Sequence, residues 1–162
     1  VSRIKTKVPL DVHLMVQDVP AFLAAWEGLR PARITAHLES VPDPTSVLER
    51  LNRAHIECGL ALGPELPVER AIPFAERVAL ILLVAVPPGK SGQTLDPHTV
   101  GRVQALHAAC PAAIVGVDGG VNEEHIAVLT GAGASVVVLA SALLAAPDVR
   151  AAYKRLQGLA SA

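Results

Sequence analysis

Apolar, β-branched runs recur along the chain from Leu10 to Val16, Ala32 to Leu38, Ile56 to Leu62, Val78 to Val86, Ala113 to Val117 and Ser135 to Ala140. Their starts are spaced by 22, 24, 22, 35 and 22 residues, the length of one strand, loop, helix and return loop. The pattern predicts six βα units. Four helix starts are marked by a short polar residue placed to accept from free backbone N–H groups: Asp18, Asp43, Asp96 and Asn122, the first three with a proline in the first turn. The glycines of Thr130-Gly131-Ala132-Gly133 supply a helix stop before the last strand.

Repeated βα units build either an open doubly wound sheet or a closed barrel of eight strands. No GxGxxG follows the first strand, where Val16-Gln17-Asp18-Val19-Pro20-Ala21 stands instead, which argues against the open dinucleotide-binding sheet. Six units are two short of a barrel, so a barrel here is an incomplete one, read as a single domain over residues 1–162 with about two units absent. A core of small branched residues fits either architecture, since 51% of the 162 residues are hydrophobic and only 2% aromatic.

Charge removes two classes of partner. A net charge of -1 with no basic stripe predicts no nucleic acid, and no apolar run reaches the ~20 residues of a membrane helix. The two cysteines, Cys58 and Cys110, stand singly, and with no signal peptide in sight the expectation is a reduced, cytoplasmic protein.

Polar groups collect at the carboxyl ends of the predicted strands, where both architectures place their sites. In Leu10-Asp11-Val12-His13-Leu14-Met15-Val16 an imidazole interrupts an aliphatic strand, on the face shared with Asp11 and Met15. A lone histidine there is more often a hydrogen-bonded core residue than a ligand. Asp118 at the end of the fifth strand changes that balance, since imidazole and carboxylate at one mouth can share a divalent cation. His37 and Glu39 form either a second polar pair of the cleft or a buried structural pair. Val117-Asp118-Gly119-Gly120-Val121-Asn122 sets an acid, two glycines and a helix start in a row, a geometry that suits a phosphate. The segment Pro87 to Gln93 is a long Gly-bearing connection with Lys90; long loops in compact domains are often functional. His55, His98, His107 and His125 are expected at the surface, and Phe22 with Trp26 in helix packing.

In order, PLDVHLMV, ITAHLES, GLALGPELPVE, VPPGKSGQ, VDGGVN and AGASVVVLASAL resemble the ribulose-phosphate 3-epimerase family from its third strand to its end. The resemblance implies a TIM-type, phosphate-binding (β/α)8 barrel and an isomerase of the pentose phosphate pathway. That activity interconverts ribulose 5-phosphate and xylulose 5-phosphate by moving a proton at carbon 3, between two aspartates and beside a divalent metal such as zinc, iron or manganese. Carried over, His13 is a metal ligand and Asp118 both metal ligand and proton-exchanging acid. Gly89, Lys90, Ser91 and Gly92 form the Gly-rich phosphate loop, Gly119 and Gly120 its neighbour, and Ala140 and Ser141 the last phosphate contact. The expected partners are a phosphorylated pentose and further copies of the chain.

The family's first two strands, with a substrate-contacting Ser, a second His and the second Asp, have no counterpart. Within the matching part Pro87 stands for the usual Asn, Lys90 for Phe, Val84 for an interior Met and Ala140 for Gly. Three functions follow as expectations: an epimerase whose other units lie elsewhere, a degenerate paralogue that binds a sugar phosphate or serves a structural role without turnover, and a phosphate-binding barrel for another small metabolite. The 162 residues alone are expected to be inactive.

Overall fold

The computed structural model describes residues 7–87 and 92–160. Six strands, β1 (Asp11–Leu14), β2 (Arg33–His37), β3 (Glu57–Leu62), β4 (Leu80–Val84), β5 (Val115–Asp118) and β6 (Val136–Val138), form one all-parallel sheet in sequence order. The helices are α1 (Val19–Glu27), α2 (Pro44–Arg53), α3 (Thr99–Ala109), α4 (Glu123–Gly131), α5 (Ser141–Leu144) and α6 (Val149–Ala160). None among the described residues is long and apolar enough to cross a membrane.

Strand alternation sorts the side chains into an inner and an outer face. Outward, Leu14, Ile34, Ala36 and Cys58 pack with Val19 and Leu23 of α1 and Val47, Leu48 and Leu51 of α2. Further round, Leu62, Ile81, Leu83, Val115 and Val117 pack with Val103, Leu106, Ile126, Leu129 and Leu156 of the later helices. Inward, Ala61, Leu80, Leu82 and Val84 form their own cluster with Val136. The inner residues stand in rows set by the register. Thr35 pairs with Gly59 and Gly59 with Leu80, while His37 pairs with Ala61, Ala61 with Leu82, Leu82 with Gly116 and Gly116 with Val136. Small residues alternate with large ones, as a sheet curled on its own side chains requires. A Cβ on Gly59 would fall on the Thr35 hydroxyl, and one on Gly116 would meet Leu82 Cδ1 at 2.9 Å.

Asp18 and Asp43 cap their helices as expected, Asp18 accepting from the Ala21 N–H at 3.1 Å and Asp43 from that of Thr45 at 3.0 Å. Asp96 does not: its carboxylate accepts from the His98 N–H at 2.8 Å, closing a turn, and α3 begins only at Thr99. Between β3 and β4 there is no α-helix but two short 3₁₀ turns, Val68–Arg70 and Ile72–Phe74. Pro67 and Pro73 lack N–H donors and hold the chain in these tighter turns. The result is a curled, six-stranded α/β incomplete barrel, whose outermost strands in the described residues are β1 and β6.

Candidate functional site

His13 on β1 and Asp118 on β5 meet. Strands four places apart in a flat sheet stand roughly 19 Å from each other, yet Nδ1 of His13 lies 3.3 Å from Oδ2 of Asp118. The sheet is curled enough to bring its first and fifth strands together at the carboxyl end. On the other side of the ring, His13 Nε2 lies 3.0 Å from His37 Nε2, the two imidazoles stacked with centroids 5.0 Å apart. His37 Nδ1 in turn faces Glu39 Oε2 at 3.7 Å. Asp118, His13, His37 and Glu39 therefore make a continuous polar string across the mouth.

The donors can be assigned along it. An ionised carboxylate only accepts, so His13 donates its Nδ1–H to Asp118 and its Nε2 accepts from His37 Nε2–H. Both imidazoles are then neutral. Burial, and next the neighbouring His13, push the His37 pKa below its ordinary value, although Glu39 and Asp118 pull the other way. Oδ1 of Asp118 is the oxygen left for other work.

Asp118 opens into a cavity of about 350 Å³ that Gly92, Gln93, Gly119, Gly120, Ala140 and Ser141 also line. The structure thus gathers in one hollow most of the residues that sequence reasoning assigned to substrate and phosphate; Gly89, Lys90 and Ser91 lie outside the described residues. Asp118 is the one ionisable side chain among the described lining residues, and Val84, Val86, Val121 and Val138 make much of the wall. A second hollow, about 530 Å³, adjoins it across Met15, Val84 and Pro87 and takes in Gln17, His37, Glu39, Gly63 and Glu65.

The two glycines after Asp118 have an internal reason to be glycine. Both take positive φ, +106° and +69°. A Cβ on Gly119 would run into Val86, and one on Gly120 into the backbone of Thr94 and Leu95. The turn is locked against both stems of the loop after β4, and it is this locking that leaves the part of the wall at Gly119 and Gly120 as backbone. Ser141 opens α5 rather than capping it, Ala140 being the cap residue with no side-chain hydrogen bond.

A metal centre is a different matter. Two ligands of one tetrahedral cation at ~2.1 Å stand about 3.3–3.4 Å apart, and the His13–Asp118 separation is of that size. But among the described residues no group of three or more His, Cys, Asp or Glu side chains is arranged to hold a cation. The described residues do not make a metal centre by themselves.

A family model, ribulose-phosphate 3 epimerase family, matches residues 1–144. The chain belongs to the ribulose-phosphate 3-epimerase family. The enzyme of that name from Helicobacter pylori strain J99 is 33% identical over 158 residues, which are 95% of this chain and 73% of the relative. That from Methanocaldococcus jannaschii is 32% identical over 156 residues, 94% of this chain and 66% of the relative. Among solved structures, a 3-hexulose-6-phosphate synthase superposes with TM-score 0.71 at 18% identity, covering 92% of this chain and 72% of that one. A mutant tryptophan synthase α-subunit from Pyrococcus furiosus gives TM-score 0.71 at 19% identity, with 94% and 68% covered. At such identities these two show the barrel-type fold alone.

Sequence reasoning passed over Arg102 and took His125 for a surface residue. Arg102 lies near the start of α3, which begins at Thr99 and not after Asp96 as the sequence suggested, and no local sequence signal marked it. Its guanidinium donates to the carbonyls of Gly63 at 2.7 Å, Leu66 at 3.0 Å and Val84 at 3.4 Å. His125, expected as a plain surface residue, completes a capping box on α4: its Nδ1 accepts from the Asn122 N–H at 3.3 Å, while the Asn122 side chain accepts from Glu124 N–H at 3.0 Å.

The depressed His37 pKa has a signed consequence. The unfolded chain takes up this proton first as the pH falls below about 6.5, so His37 favours the fold above that value and this advantage is lost on acidification. Thermal melts should show Tm falling between pH 7.5 and pH 5, and falling less in His37→Gln. Equal slopes in the two proteins would show that His37 is not the group responsible.

Proposed function

We propose that this chain is a sugar-phosphate-binding member of its family, one folded unit that takes ribulose 5-phosphate in the hollow at Asp118 and carries half of a carbon-3 proton-transfer site. The observation that supports this is the His13–Asp118 contact at the mouth of that hollow. Its volume of about 350 Å³ lies within the range of small-ligand pockets. The phosphate would lie against backbone at Gly92, Gly119 and Gly120, with the start of α5 at Ser141 opposite.

Asp118 works as the base. With Oδ2 held by the His13 N–H, the carboxylate is fixed in orientation and Oδ1 can reach a proton beside a carbonyl. Inverting carbon 3 demands that a second acid return the proton to the opposite face. No other acid lines the hollow among the described residues, and Glu39 stands beyond both imidazoles. Asp118 alone removes the proton and gives one back on the same side.

The chain with ribulose 5-phosphate in D2O, followed by NMR, should incorporate deuterium at carbon 3 without forming xylulose 5-phosphate, and Asp118→Asn should lower the exchange at least 10²-fold, the scale of a lost general base. Epimerisation at ordinary enzyme rates would contradict the half-site. Binding without any exchange would favour the second reading, a paralogue that holds a sugar phosphate without chemistry, which the apolar wall of Val84, Val86 and Val138 also suits.

A curled sheet with strand edges at β1 and β6 offers unpaired backbone groups and apolar side chains to a partner. Association of copies is the proposed way of covering them. Light scattering on the dilute chain should give at least twice the monomer mass; a stable monomer at micromolar concentration would contradict this.

A further inference from the structure

Gly63, the first residue after β3, is gripped from both sides by charged groups that come from distant parts of the chain. Its N–H donates to Glu39 Oε1 at 2.6 Å, and its carbonyl accepts from Arg102 at 2.7 Å. Glu39 sits in the 3₁₀ turn Leu38–Ser40 that follows β2, Arg102 in α3. A Cβ on Gly63 would come within 2.6 Å of Glu39 Oε1, so any side chain there displaces the carboxylate. Arg102 binds three backbone carbonyls at the carboxyl ends of β3 and β4 and, among the described residues, no carboxylate lies within 4.0 Å of it. Such an arrangement spends a cation on holding backbone in place.

The other oxygen of Glu39 is the one that faces His37 Nδ1 at 3.7 Å. A carboxylate at that distance draws the single proton of a neutral His37 toward Nδ1, while the His13 acceptor draws it toward Nε2, so the placing of Glu39 sets the balance between the two nitrogens. We propose that Glu39, Gly63 and Arg102 form a clamp of positioning residues: Arg102 sets the turn after β3, the turn sets the Glu39 carboxylate, and Glu39 sets the proton placement and orientation of His37 against the His13–Asp118 pair. The inference rests on reading the mouth as the working site, and extends it to groups that touch no ligand.

The clamp can be read without any ligand, so failure of ribulose 5-phosphate binding leaves the result intact. The probe is the ring-nitrogen spectrum of His37, recorded by ¹H–¹⁵N NMR on the full chain at pH 8, where neutral imidazoles report their tautomers. Glu39→Gln keeps an acceptor for Gly63 but removes the charge, and defines the direction in which the His37 signals move. Arg102→Met and Gly63→Ala should move them in that same direction, and Arg102→Lys, which restores a cation with three donors, should recover part of the shift. Arg50→Met is the control: Arg50 is also half-buried, and it holds Glu27 at 2.6 and 3.0 Å and the Pro20 carbonyl at 3.3 Å, but it joins α2 to α1 on the outer face. It should lower Tm and leave His37 unmoved. Should Arg102→Met or Gly63→Ala fail to fold, Glu39→Gln against Arg102→Lys decides, with small shifts of one sign expected. Folded Arg102 variants with His37 signals unchanged, or an equal response to Arg50→Met, would overturn the clamp.

Discussion

One contact between strands that are not neighbours governs the shape of this protein. His13 and Asp118 are 105 residues apart in sequence and four strands apart in the sheet, and they touch only because the sheet bends back on itself. Curl of that degree puts the inner side chains of β1 to β6 into a shared interior too narrow for a large residue at every position. Gly59 under Thr35 and Gly116 under Leu82 make the space. A bulkier residue at either would have to flatten the sheet, and a flatter sheet parts the imidazole from the acid. Packing in the interior and chemistry at the mouth are one constraint.

The polar string at the rim inherits its order from that curl. His13 and His37 are buried enough to lose much of their water; they hydrogen-bond each other, His13 also bonds Asp118, and Glu39 faces His37 at 3.7 Å. Glu39 is held by the Gly63 N–H and the turn carrying Gly63 is held by Arg102, so the string is tied to the outer helical layer as well as to the strands. One side of the hollow at Asp118 is backbone because Gly119 and Gly120 are pressed against Val86 and against Thr94 and Leu95, while valines make much of the rest.

Much of this could be read before any coordinates. Aliphatic periodicity found all six strands, though Val78 to Val86 contracts to Leu80–Val84 and Ser135 to Ala140 to Val136–Val138. Asp18, Asp43 and Asn122 announced their helices because a short acceptor before an apolar run has few other uses. Asp96 misled for the same reason: it closes a turn three residues before α3, and an Asp serves both roles with one geometry. The prolines between β3 and β4 were visible, but spacing alone matched a helix. In the site, an imidazole in an aliphatic strand and an acid before two glycines stood out against their surroundings. Beyond the His13–Asp118 pair, what the sequence concealed was the further partnership of side chains set by curl. Nothing local says that Arg102 reaches across to Gly63, that Glu39 needs that residue to be glycine, or that Gly119 and Gly120 answer to the stems of a loop some 25 to 35 residues earlier.

The contact across the mouth can be measured as an energy. A double-mutant cycle on His13→Ala and Asp118→Ala, read from urea unfolding, should return a coupling of about 0.5–3 kcal/mol, the range for residues in direct contact. Losses that add to within about 0.5 kcal/mol would mean the two side chains do not meet in solution, and the curl, the hollow and the half-site built on it would fall together.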